Sequence, residues 1–170
     1  MTVINTPRVS KGIAWSYGGL TIVIAALTGF FAVASVLTPM GAGGAAAAVG
    51  TTVVGGIMFR LWRSLYTTRY VVTEDGLLIE TTKLIGGSKR IRLTAIESLE
   101  KTLIPFGIKV FGASFHGGYY SIPGLGTAFM AITNLEDGLL IHTTKGRYII
   151  TPKEPQQFQE TIAHKLQQRT

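Results

Sequence analysis

The sequence predicts an α-helical transmembrane hairpin followed by an α+β, mainly β domain, a barrel of about seven strands with a C-terminal capping helix. Three observations carry this. Gly12 to Phe59 is a run of 48 residues without Asp, Glu, Lys, Arg or His. After Arg69 the apolar pattern alternates with period two and is cut by Asp-Gly and Gly-Gly turns. The chain then closes on Phe158, Ile162 and Leu166, an apolar stripe at helical spacing.

A helix needs about 20 apolar residues to cross ~30 Å of hydrocarbon, so the uncharged run suffices for two crossings and exceeds one. Thr38-Pro39-Met40-Gly41 is the natural break, which predicts spans over 13–37 and 42–62, an N-terminal tail over 1–12 and a domain over 66–170. Arg8 and Lys11 flank one end of the hairpin and Arg60 and Arg63 the other, while the turn between the spans is uncharged. The Lys/Arg bias then places both termini in the cytoplasm, as a multi-pass protein of the inner membrane. A cleaved secretory leader ending near Ala32-Val33-Ala34 is the competing reading, and it leaves the second apolar run unexplained.

The second span is mostly Gly, Ala, Thr and Val, and Gly44, Ala48, Thr52 and Gly56 recur at every fourth position. Thr21, Ala25 and Gly29 repeat the pattern in the first span. Small residues at this spacing let another backbone approach, either the other span or a further membrane subunit or second copy.

Net charge is +7, of which Arg8, Lys11, Arg60 and Arg63 supply four; from Tyr66 onward twelve Lys/Arg face nine Asp/Glu. Juxtamembrane cations attract anionic headgroups, so the basic balance points to membrane lipid and away from nucleic acid. Without cysteine the chain has no disulfide, no thiolate nucleophile and no cysteine-ligated zinc site.

Tyr70 to Thr73 and Leu77 to Thr82 flank Asp75-Gly76 as a hairpin, Lys89 to Leu93 follows Gly86-Gly87, and Leu139 to Thr144 with Arg147 to Thr151 forms another hairpin around Lys145-Gly146. EDGLLIETTK from Glu74 to Lys83 recurs as EDGLLIHTTK from Glu136 to Lys145, with Glu80 replaced by His142. The expectation is two turn-plus-strand units, each with a left-handed Asp-Gly and with Leu77 and Ile79, or Leu139 and Ile141, on a buried face. Thr151-Pro152-Lys153-Glu154 reads as a capping box with proline at the first helical position.

The glycine-punctuated run FGASFHGGYYSIPGLGTAFMAIT from Phe111 to Thr133, the hairpin LLIHTTKGRYIITP, and the close on Pro152, Glu154, Pro155 and Phe158 resemble a bacterial pleckstrin-homology (PH)-like domain of the membrane-anchored type. The resemblance covers residues 66–165. It implies a PH-like barrel without enzymatic activity and supplies no ligand.

Two binding modes are open. Lys83, Lys89, Arg90 and Arg92 around Gly86-Gly87 resemble the basic strand-turn-strand by which eukaryotic PH domains hold phosphoinositide phosphates; alternation with Ile91 and Leu93 equally describes a solvated strand face. The favoured mode is binding of a membrane-associated protein partner or a second copy, as scaffold, regulator or accessory subunit of a transport or enzyme complex. Phe106, Phe111, Phe115, Tyr119 and Tyr120 are expected in the core or capping an edge, with one of the adjacent tyrosines exposed. His116, His142 and His164 share no metal spacing and read as surface residues, Ser114 lacks an oxyanion context, and PGLGT lacks the Lys-Ser/Thr of a phosphate loop, so neither enzyme, metal nor cofactor is expected.

Overall fold

The computed structural model describes residues 3–39, 41–112, 114 and 116–168, which leaves Met40 of the interspan break and Phe115 outside the described residues. The chain divides into two compact units: Lys11–Arg63 form one, and the residues up to Ser10 together with those from Ser64 onward form the other.

The first unit is a pair of helices, α1 (Lys11–Leu37) and α2 (Gly41–Thr67, whose last turn belongs to the second unit). Each has 27 residues, with mean hydropathy of 2.4 and 1.5, and both are long and apolar enough to cross a membrane. Thr28 Oγ1 donates to Thr51 Oγ1 across the pair at 2.9 Å. Gly44 sits so close to Ser35 that a methyl group on it would lie 3.0 Å from the Ser35 Cα, Gly55 faces Ile24, and Gly18 faces Trp62. The seam on α2 therefore follows Gly44, Thr51, Gly55 and Trp62. Of the four small residues read as a stripe, Gly44 lies in this seam, Ala48 is half-buried, and Thr52 and Gly56 are exposed. Four residues turn a helix by about 400°, so an every-fourth stripe drifts by about 40° per step and leaves the seam.

The second unit holds two sheets. One has the order β1-β2-β3-β4, from Val3–Asn5, Arg69–Val72, Gly76–Glu80 and Lys89–Arg92. The other has the order β5-β9-β10-β8-β7-β6, from Ile96–Thr102, Gly138–Thr143, Gly146–Ile150, Gly126–Ala131, Gly117–Ile122 and Ile108–Phe111. All pairings are antiparallel except β8 with β10, because the β9–β10 hairpin inserts β10 between β8 and β9. Tyr70, Val72, Leu77, Ile79 and Ile91 of the first sheet meet Phe129, Ala131, Leu139, Ile141 and Ile150 of the second in one buried core. Helix α3 (Pro155–Gln167) closes it by inserting Phe158 and Ile162, with Leu166 packed alongside, which is the stripe the sequence displays.

The N-terminal segment is part of this fold and not a tail. Val3, Ile4 and Asn5 pair antiparallel with Val72, Val71 and Tyr70. Pro7 bridges Pro152, the Lys153 N–H donates to Thr6 O at 3.2 Å, and the Ser10 N–H donates to Thr133 O at 2.7 Å. Ten strands are thus present among the described residues, where period-two patterning suggests about seven. At the other end of the hairpin α2 runs without a break into β2, its last turn buried at Ser64, Leu65 and Thr68.

Two further expectations are corrected. Helix α3 begins at Pro155 with Glu154 at the cap position and no side-chain cap, because Thr151 is fully buried and its hydroxyl already accepts the Thr133 N–H at 2.9 Å. Gly76 and Gly138 do not adopt the left-handed conformation; each is the first residue of its strand, β3 or β9. The glycine is needed for close approach: a Cβ would lie 2.3 Å from Ile91 O at Gly76 and 2.6 Å from Ile104 Cδ1 at Gly138. The repeat otherwise behaves as its pattern implies, with Leu77, Ile79, Leu139 and Ile141 all in the core.

Candidate functional site

The sheet order puts β5 and β6 on opposite edges, so Leu103 to Gly107 must cross β9, β10, β8 and β7. At about 4.8 Å per strand spacing that path approaches ~24 Å, nearly the full reach of so short a segment, so it runs extended as a strap over the outer sheet face. Beneath it lies a second apolar layer of Tyr120, Ile122, Ala128, Met130, Ile132, Leu140 and Ile149, with Ile104 packed against it. This layer is why Tyr119 and Tyr120 both escape exposure: Tyr119 packs edge-on against Phe129 in the core, and Tyr120 lies in the outer layer.

What the strap turns inward it loses from its surface. Leu103, Phe106, Ile108, Val110 and Phe111 are exposed, Phe106 at 87%, which corrects the expectation that Phe106 and Phe111 are core or edge-capping residues. The only charged residue between Leu103 and Phe111 is Lys109, and its ammonium is folded in. It donates to the carbonyls of Ser114 and Gly117, the latter at 2.8 Å, and contacts the Tyr120 hydroxyl at 3.2 Å. Burial lowers the Lys109 pKa. The outcome is an uncharged, apolar edge strand on β6, whose free side has no strand partner among the described residues.

A groove of about 800 Å³ adjoins the start of the strap, between the end of β5 and the first turns of α3. Lys101, Leu103, Asp137, Glu154 and Glu160 line it, so Leu103 belongs to both strap and groove. Gln159 Nε2 reaches the Leu99 carbonyl of β5 at 3.0 Å.

The cationic residues read from the sequence separate. On β4 Lys89 and Ile91 point one way and Arg90 and Arg92 the other. Lys89 Nζ lies 5.2 Å from the Tyr119 ring centroid and 5.1 Å from that of Phe129. Arg90 and Arg92 are exposed and line a cleft of about 320 Å³ with Thr94, Thr143, Thr144, Lys145 and Tyr148. They also line an adjoining lobe of about 470 Å³ with Thr94 and Asp75. Lys83 stands in a short 3-10 turn, Lys83–Ile85, and lines neither. Lys145, the repeat counterpart of Lys83, takes its place. The β9–β10 turn holds Lys145 there: the Lys145 N–H donates to Thr143 Oγ1 at 3.2 Å, Thr143 Oγ1 donates to Gly146 O at 2.7 Å, and the Thr144 N–H donates to Ala95 O at 3.0 Å.

His116 is not a surface residue. It is 3% exposed, with Nε2 at 3.4 Å from Ser64 Oγ, and burial first, then the Lys109 charge, push its pKa down to about 4. His142 lies at the surface with Nε2 3.9 Å from Glu100 Oε1, and His164 is exposed on α3.

No curated protein and no solved structure matches the chain. Residues 68–166 match the family model described as a bacterial PH domain, a stretch that begins with the last residue before β2 and ends near the end of α3. Two sheets enclosing one core, closed by a C-terminal helix, fill that stretch, and the chain belongs to the bacterial PH domain family.

Proposed function

We propose that this protein is a membrane-anchored, non-catalytic PH-like module that binds a membrane-associated protein partner at the cytoplasmic face, as a scaffold, regulator or accessory subunit. The observation that carries the reading is the strap and edge strand. Leu103, Phe106, Ile108, Val110 and Phe111 form one continuous exposed apolar run, and the single cation within it is turned inward. Exposed apolar runs on sheet edges are interaction sites or aggregation liabilities, and natural edges are ordinarily blunted by charge.

The anchor rests on α1 and α2. Because Ser10 and Ser64 belong to the same compact unit, a hairpin inserted between them crosses a bilayer an even number of times. Arg8, Lys11, Arg60 and Arg63 flank its two ends and favour the cytoplasm for both. Anchoring beside a membrane partner raises effective concentration and turns weak contacts into occupancy. The non-catalytic character is supported by His116: its Ser64 neighbour is a nucleophile type at hydrogen-bond range, but both are buried and the imidazole is a weak base.

The test is photocrosslinking from position 106 of the full-length protein in native membranes, with position 161 on the exposed side of α3 as control. Discrete protein adducts from 106 alone, lost in Ile108→Ser/Phe111→Ser, support the reading. Adduct patterns identical from both positions would overturn it.

A further inference from the structure

We infer that the cleft between β4 and the β9–β10 turn is a binding site for a phosphate-type oxyanion, held by Arg90, Arg92 and Lys145. Arg90 and Arg92 are two apart on one strand, so their guanidinium groups leave the same face about 7 Å apart at the backbone. Lys145 reaches the same cleft from a turn fixed at both ends by hydrogen bonds, so the three charges are placed by separate, rigid pieces of the fold.

Three cations on one small cleft repel one another, and a protein surface ordinarily relieves this with carboxylates. None of the three has an ion-pair partner among the described residues. The smaller lobe has no carboxylate in its lining; Asp75 enters only the adjoining lobe. Thr94 and Thr144 add hydroxyls, and the Tyr148 ring forms one wall, its edge packed on Phe129. Forked guanidinium donors, a point-charge ammonium and short hydroxyls are the donor set that satisfies the several acceptor oxygens of a phosphate or phosphoester. A volume of about 320 Å³ accommodates a small phosphorylated molecule or headgroup and not a polymer.

Position within the unit bears on the source of that phosphate. The chain enters the unit at Ser10, against Thr133, and at Ser64, against His116. Thr133 also accepts at its hydroxyl from, and lies beside, Thr151, which follows the last residue of β10. The β9–β10 turn lies at the other end of β10, roughly 17 Å away at ~3.3 Å per residue. The cleft is therefore at the end of the strands remote from both chain entries, which favours a soluble phosphate compound over a headgroup of the anchoring bilayer. This inference is independent of the apolar strap, and its failure leaves the partner-binding reading untouched.

The experiment titrates pyrophosphate into the full-length protein in a zwitterionic detergent at constant ionic strength, followed by calorimetry. The comparison proteins are Arg90→Gln/Arg92→Gln, Lys145→Gln, and a charge-matched control, Lys153→Gln/Lys165→Gln. Saturable binding by wild type and control, weakened at least tenfold by the Arg90/Arg92 pair and severalfold by Lys145→Gln, is the expected result. A second arm mixes proteoliposomes with separate vesicles of phosphatidylcholine and phosphatidylglycerol: bridging that pyrophosphate competes away assigns a headgroup, and pyrophosphate binding without bridging assigns a soluble ligand. Non-saturating heats, or equal binding by the Arg90/Arg92 variant and the control, would overturn the site.

Discussion

Val3 pairs with Val72 across β1 and β2, so the two ends of the helical hairpin are joined in one sheet. Paired Cα atoms of antiparallel strands lie ~4.5–5.5 Å apart, within the range a disulfide spans. The chain has no cysteine, so Val3→Cys/Val72→Cys offers a clean probe. The double variant is expected to oxidise to a closed ring containing both helices, seen as a reducible gel shift after proteolysis between the two positions. No shift would mean that β1 is not docked.

Tyr70 is fully buried; its hydroxyl donates to Ala131 O at 2.7 Å and accepts the Thr151 N–H at 3.3 Å. It therefore links β2 to β8 and to the residue after β10. Tyr70→Phe leaves both backbone groups short of a partner and should cost about 1–3 kcal/mol in chemical unfolding. Burial raises the Tyr70 pKa from 10.0 to about 12, so its contribution is complete below pH 10 and is lost as pH rises from 10 towards 12. Wild type should lose stability faster than Tyr70→Phe across that interval, and parallel curves would count against the burial.

His116 titrates with the opposite sign. Its folded pKa of about 4 lies below the ordinary 6.5, so the unfolded chain takes up a proton first as pH falls. Stability should decline between pH 6.5 and 4 by up to about 1.4 kcal/mol per pH unit from this residue. His116→Gln should flatten that part of the profile in urea unfolding, whatever its effect on stability at pH 7.

Gly118 has φ of +116°, and a Cβ there would lie 2.2 Å from Phe111 O on β6. Gly118→Ala combines backbone strain with a clash against main chain, and a loss of more than about 3 kcal/mol is expected. Gly124 also has positive φ but open space around it, so Gly124→Ala carries the strain alone and should cost less, about 1 kcal/mol.

Phe106 and Phe129 separate surface from core. Phe106→Ser should change the unfolding free energy by less than about 0.5 kcal/mol while lowering self-adhesion, because the side chain packs on little. Phe129→Ala removes a buried ring that contacts Tyr119 and Tyr148 and should cost about 3–5 kcal/mol. If Phe106→Ser destabilised as much, the strap would be a packed element and not an open one.

Local pattern was enough for much of this fold. The β2–β3 and β9–β10 hairpins, the burial of Leu77, Ile79, Leu139 and Ile141, and the Phe158–Ile162–Leu166 stripe all follow from period and turn chemistry, which act over a few residues. The same patterns misplace the site. Phe106 looks like core because aromatic residues usually are, yet the connection that carries it must lie on top of an already complete sheet. Lys83 and Lys145 are equivalent in the repeat, and only the return of the β9–β10 turn to Ala95 places the second in the cleft.

By itself the sequence determined that the chain holds two helices long and apolar enough to span a membrane, followed by a sheet-rich domain closed by an amphipathic helix. Charge depletion and hydrophobic period are local quantities, legible one segment at a time. Only the tertiary structure decided that Val3–Asn5 completes the domain's sheet, that Lys109 turns inward and leaves β6 uncharged, and that Arg90 and Arg92 meet Lys145 instead of Lys83 and Lys89. Each depends on strand neighbours far apart in the chain, and a pairing of that kind is fixed by the packing of the whole sheet rather than by the residues on either side of it.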